Sequence, residues 1–515
     1  MELLDDDLPR RAYLKRAVAL GGATALSACL DREAAAEPVP TGDPAAKPPR
    51  QHAWREYIRH DEHGNSQLPN HQLLLYVNFD EGGAPSGDAR ATLETALSVL
   101  DRAYEWSHEG LLFSIAYSPS YFERFDRSLP DGIDLPEPEP LSPFETPTFD
   151  TQDAVVHLAS DRAAVVLEAE SALTGDRETA NGEPVDARLT DVATVDSRRS
   201  GFVGAGLPAS NQDAEGVPDS KPVPEASPLF MGFEAGFRGN QASEDYVSFE
   251  DGPFAGGTTK VIANLRQRLD DWYEEQSFEE RVMEMFSPSH AEQDLVEGVG
   301  SNLGSDSGID QFVDDIESEA LDHGRVGHAQ KAARANRDAD GNVRLLRRHF
   351  ESTDDIGSDQ KVASLHFPVV AAKYLGLRGC SAGDERYGHA GGDAGGPTAR
   401  QQRHSGVHLR SSAWVLPRAA SPPSIPADAT AGVGGASENG DSITAPERPF
   451  CVVTEGNICN VVRSCEAVAQ WPPASRWPAV QGPSKQGPLA THRCRRIALT
   501  ESTFRATSRG WKCPG

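Results

Sequence analysis

Two positions in this sequence combine a reactive side chain with a setting that suits chemistry. His328 lies in Gly324–Phe350, a basic and polar stretch inside an otherwise acidic chain. An imidazole there is no core filler. It reads equally as a ligand to a metal-bearing group or as a surface histidine, and His323 is a close competitor. Cys29 closes the run Leu26-Ser27-Ala28, where a thiol can take a lipid. Between the tether and Phe367 no Cys or His pair stands at metal-ligand spacing, and no serine or cysteine nucleophile motif is present.

The elements that must position these groups follow from periodicity. His71–Phe79 (HQLLLYVNF) is an apolar run of strand length, and Gly110–Tyr117 (GLLFSIAY) is a second. Between them Leu93, Leu97 and Leu100 recur at helical spacing within Ala89–Trp106. Ala154–Leu158 and Ala163–Ala169 repeat the order of strand then helix. This βαβ alternation predicts an α+β fold of the ferredoxin-like kind. Residues 171–229, rich in Gly, Pro and Asp, are expected to form a long loop. Val261, Leu265, Leu269 and Trp272 are expected on one face of a helix capped by Thr258 or Thr259. Glu297–Gly308, rich in Gly and Ser, reads as flexible.

The chain has 515 residues and a net charge of −29. Residues 1–367 carry 68 acidic and 32 basic side chains, leaving 10 and 17 of the totals of 78 and 49 for residues 368–515. A spread of acid over the body is a solvated surface of a salt-adapted prokaryotic protein, and it argues against a nucleic-acid partner. At the N-terminus, Pro9-Arg10-Arg11-Ala12-Tyr13-Leu14-Lys15 resembles a twin-arginine export signal. The apolar segment Ala17–Leu26 that follows is too short to span a bilayer stably. With Cys29 in a lipobox-like site, residues 1–29 read as a lipoprotein signal handled by the twin-arginine translocase. The mature protein is then expected outside the cell, anchored to the outer face of its membrane through lipid alone. Residues 30–66 read as a tether.

Several segments, in order, resemble the dye-decolourising (Dyp-type) haem peroxidase family. Leu111–Phe125 (LLFSIAYSPSYFERF), Ser200-Gly201-Phe202, Phe230–Gly236 (FMGFEAG), Gly256-Gly257-Thr258-Thr259, His328, and Val343–Arg348 (VRLLRR) carry the likeness, which covers residues 67–367. The resemblance implies tandem ferredoxin-like halves of the dimeric α/β barrel type, residues 67–200 and 201–367, with haem b held in the second half. It implies His328 as the axial ligand to iron and Arg325 or Lys331 as partners of the haem propionates. Gly232, Phe233 and Gly236 would shape the cofactor loop. Arg347 would be the distal arginine, with Arg348 as the alternate. Hydrogen peroxide and an unknown external reductant would be the substrates. One departure stands out: Ala235 occupies the place of the family's distal aspartate, and alanine carries no proton. Glu234, Asp245, Glu250 and Asp251 are the nearest acids in sequence.

Residues 368–515 break character. Acidity is lost, six of the seven cysteines appear, and strand or helix periodicity disappears. Suitable codons for Gln401–Arg410, moved by one base, spell NNGILEYIF. The same shift turns Ala371–Gly379 into QRNISDFV. These two windows point to a frameshift near Phe367 or Pro368, an out-of-frame or disordered tail, and an open sheet edge in the second half. A disulfide-rich domain is the other reading of those cysteines. Three functions follow: a haem peroxidase, an exported protein that binds haem or another ligand without turnover, and a structural relic of the fold.

Overall fold

The structure is a computed structural model. It describes residues 38–354, apart from 176, 235 and most of 131–146, together with 361–372 and the backbone of strand 410–416. The export signal and Cys29 lie outside the described residues.

The first half runs β1 (His71–Phe79), α1 (Gly87–Ala103), β2 (Leu112–Tyr117), β3 (Ala154–Ser160), α2 (Ala163–Thr174) and β4 (Ala193–Phe202). Its strands lie in the order β4-β1-β3-β2, all antiparallel. That is the ferredoxin-like arrangement. Ser86 starts α1 by accepting from the Ala89 amide at 3.1 Å. The helix then buries Leu93, Leu97 and Leu100 against Leu73, Leu75, Phe113 and Val156 of the sheet. Each such leucine contributes roughly 1.5–3 kcal/mol by burial.

The second half repeats the order with a large insertion. It comprises β5 (Thr258–Arg266), five short helices, β6 (Leu346–Arg347), β7 (Phe350–Asp354), β8 (Lys361–Ala371) and β9 (Arg410–Leu416). The order β9-β5-β8-β7 matches the first half strand for strand. Two seams close the sheet into a barrel, with Phe202 of β4 against Glu351 of β7 and Tyr117 of β2 against Val415 of β9. The fold is therefore α+β, two ferredoxin-like halves joined edge to edge. Leu74, Tyr76, Ala116, Val155, Ile262 and Phe350 fill the barrel interior.

Three expectations need correction. Thr258–Arg266 is strand, and only Leu269–Glu274 is helical (α3). A spacing of four residues suits a strand face as well as a helix face, and pairing on both sides by β8 and β9 decides for strand. Residues 171–229 are not all loop: α2 continues to Thr174, and β4 occupies Ala193–Phe202. The polar residues of β4 concealed it, because Arg198 and Arg199 are buried by pairing with Glu170 and Asp150. Finally, β8 runs in register through Phe367 and Pro368 to Ala371, and the edge expected to be open is paired with residues 410–416. The remainder of 373–515 lies outside the described residues.

Candidate functional site

The remaining helices of the second half are α4 (Phe278–Met285), α5 (Pro288–Glu292), α6 (Ile316–His323) and α7 (His328–Ala335). His328 opens α7, and its Nδ1 is buried. The turn before it is tight: Gly327 lies so close to the Phe286 carbonyl that a Cβ there would come within 1.7 Å of the oxygen. Gln330 folds back to accept from the Gly327 amide at 3.1 Å and donates to the Phe312 carbonyl at 2.8 Å and to Glu319. The competitor His323 ends α6, 3.6 Å from Glu292. Arg325 lies 3.6 Å from both Glu280 and Glu284 of α4, so its charge is turned toward protein carboxylates. Lys331 is buried on α7.

At the other end of α7, Asn336 accepts from the Arg344 amide with its carbonyl and from the Leu345 amide with its side chain, both at 3.1 Å. The chain then enters β6. An eight-residue helix rises about 12 Å, and residues 336–345 complete the link from α7 to the arginine strand.

Register separates the two arginines. Arg347 pairs with Val369 and so shares the face of Phe367 and Leu365. With Ala263 and Leu265, Leu365 and Phe367 form an apolar wall on the outside of the barrel. Arg348 points the other way, into the barrel. There it donates to Glu244 at 3.0 Å and to the His52 carbonyl at 3.2 Å, and lies 5.2 Å above the Trp54 ring. Arg348 is thus committed to structure, and Arg347 is the arginine of the wall.

Sequence reasoning passed over His349. It lies beside Phe367, with ring centroids 6.2 Å apart and stacked. Its Nδ1 is buried and has no hydrogen-bond partner among the described residues. Burial, then the charges of Arg347 and Arg348, push its pKa down to about 3. The signal was available in the i, i+2 spacing from Arg347, but only if the segment was read as strand.

The Phe230–Gly236 segment is bolted in place. Phe230 donates its amide to the buried Glu351 carboxyl at 2.6 Å, its carbonyl accepts from Tyr273 Oη at 2.7 Å, and the Met231 carbonyl accepts from Trp272 Nε1 at 3.0 Å. Phe233 is buried and meets Phe286 edge to face at 5.6 Å. This contact joins the segment to the residue that crowds Gly327. Gly232 has φ +87°, and a Cβ there would lie 2.7 Å from Tyr273 Oη, so glycine is required. At Gly236 a Cβ would meet its first atom at 3.6 Å, an ordinary contact. Ala235 lies outside the described residues.

None of the nearby acids is turned to the wall. Glu234 is half-buried beside Asp61 and His63, and burial followed by the Asp61 charge raises its pKa. Asp245 is exposed and pairs with Arg50 at 2.5 Å, while Glu250 and Asp251 are exposed. Among the described residues no three His, Cys, Asp or Glu side chains gather at a metal-binding distance.

Residues 69–377 match the family described as "Family of unknown function (DUF7405)". The chain belongs to DUF7405. No curated protein matches this DUF7405 chain. Among solved structures it is similar to a dye-decolorizing protein from V. cholerae at 12% identity and TM-score 0.39, covering 71% of this chain and 97% of that one. The encapsulated DyP-type peroxidase from Mycobacterium smegmatis matches at 14% identity and TM-score 0.43, covering 70% and 97%. A DypB variant from Rhodococcus jostii RHA1 in complex with heme matches at 15% and 0.42, covering 72% and 97%. The functional reading of the DUF7405 chain rests on its own residues.

Proposed function

We propose that this protein is a haem-dependent peroxidase that oxidises an external reductant with hydrogen peroxide. The observation that carries the reading is the α7–β6 unit: His328 opens the helix, and the chain returns through residues 336–345 to Arg347, which shares a face with an apolar wall. The donor set fits haem. A single imidazole whose Nδ1 is buried suits an iron that brings its other four donors in a ring. The wall of Ala263, Leu265, Leu365 and Phe367 suits the flat apolar macrocycle.

Bound haem would supply the redox chemistry toward peroxide. His328 would hold the iron. Arg347 stabilises negative charge on peroxide oxygen, and its fixed place on β6 means that little reorganisation is needed. The apolar wall excludes water and strengthens that interaction. Arg325, engaged with Glu280 and Glu284, would bind a propionate only by leaving them.

A second reading, haem binding without turnover, is favoured by one observation: Glu234, Asp245, Glu250 and Asp251 are all turned elsewhere, and Ala235 cannot replace them. An absorption spectrum of the full chain expressed with haem available separates the cases. A Soret band lost in His328→Ala supports the site, and peroxide-driven dye oxidation lost in Arg347→Leu supports the enzyme. A folded protein without a Soret band overturns both readings. Export by the twin-arginine route and lipidation at Cys29 belong to the same proposal, supported by the motif order in residues 9–29. Retention of a Cys29→Ser variant in the membrane fraction would refute the anchor.

A further inference from the structure

The haem-peroxidase reading leaves a chemical gap. Hydrogen peroxide must give up a proton to bind as its anion, and the acid at the family's usual place is Ala235. We propose that His349 is the proton acceptor, in place of an acid at position 235, an inference that rests on the haem-peroxidase reading.

Three observations converge on this residue. Its ring stacks on Phe367 at 6.2 Å, and Phe367 belongs to the wall that Arg347 shares. Its Nδ1 is buried and has no hydrogen-bond partner among the described residues, so in the tautomer with the proton on Nε2 no described residue occupies its lone pair. It lies close enough to Arg347 and Arg348 for both guanidinium charges to act on it. Burial and those charges hold the imidazole neutral and weaken it as a base, so the transfer depends on Arg347 stabilising the anion left behind. The step is a transfer of one proton: an O–H bond of hydrogen peroxide breaks, Nδ1–H forms, and the hydroperoxide anion remains beside Arg347. No electron moves. The alternative, a histidine that only fills space next to Phe367, gives its Nδ1 no role and predicts no effect on protonic ligands.

The test compares wild type with His349→Leu and His349→Asp, each loaded with haem. Hydrogen cyanide is the probe besides peroxide, because it too must lose a proton to bind as an anion. General-base assistance is worth about 100-fold or more. His349→Leu should therefore slow association of both peroxide and cyanide by about 100-fold while leaving the Soret band and thermal midpoint in place. His349→Asp, which retains a proton acceptor, should recover part of each rate. Rates in His349→Leu within about twofold of wild type would overturn the assignment and leave the haem reading standing. A wild type with no Soret band would overturn the haem reading and this role with it.

Discussion

Lys260 on β5 reaches across the barrel to place its Nζ 3.0 Å from Ser114 Oγ on β2, so one side chain bridges the two halves through the interior. The same ammonium lies 3.2 Å from His157 Nδ1, while His157 Nε2 meets Gln72 Oε1 at 2.7 Å and Gln72 donates to the Pro69 carbonyl at 2.7 Å. That chain fixes the tautomer: Nε2 carries the proton, and Nδ1 accepts from Lys260.

Burial, with help from the Arg348 charge, lowers the Lys260 pKa from 10.5 to about 7. The unfolded chain holds this proton up to its ordinary pKa, and the folded chain releases it near 7. Stability therefore rises with pH between those limits, and below 7 the burial penalty is fully present. Lys260→Met has no such dependence. Between pH 6 and pH 10, wild type should gain about 4 kcal/mol relative to the variant. Urea midpoints across this range give the difference; two parallel curves would show that Lys260 keeps its proton when buried.

Gly327→Ala isolates a steric effect. Its φ of −68° is ordinary for alanine, so backbone conformation costs nothing. An exposed site of that kind would gain roughly 0.4–1 kcal/mol on substitution. Here the added Cβ would press on the Phe286 carbonyl. The expected result has the opposite sign, a loss of about 1–3 kcal/mol, read as a lower denaturation midpoint.

Arg199 and Asp150 form a buried pair at 2.6 Å, and Arg199 also donates to Tyr76 Oη at 2.8 Å. Arg199→Met takes the cation from a carboxylate that stays buried. Such a loss costs about 3–5 kcal/mol. Thermal denaturation should show it clearly, and a variant as stable as wild type would mean that Asp150 finds solvent.

Arg347 and Arg348 should behave as opposites. Arg348→Met deprives Glu244 of its buried cation and should lower stability by several kcal/mol. Arg347→Met should lower stability less than Arg348→Met and reduce peroxide turnover by about 100-fold or more. An equal effect of both substitutions on stability, with turnover intact, would remove Arg347 from the site.

The sequence alone determined those features that local periodicity and residue chemistry encode. The apolar runs 71–79 and 110–117 and the helix carrying Leu93, Leu97 and Leu100 fold as expected, because one buried face dictates each of them. The candidates Arg347 and Phe233 and the gap at Ala235 came from the family resemblance, and His328 from its polar setting together with that resemblance; their roles remain part of the proposal. Tertiary structure decided the rest. Strand β4 was hidden because its buried positions are charged, and only Glu170 and Asp150, brought near by folding, make that tolerable. Thr258–Arg266 became strand because partners on both sides supply its hydrogen bonds. Folding also brings Glu292 beside His323 and Glu244 beside Arg348, neither of which is a neighbour in sequence. His349 emerged only when β-sheet register put it on the same face as Arg347. A sequence states which groups are present, whereas the direction of a side chain depends on pairing and burial that distant residues impose.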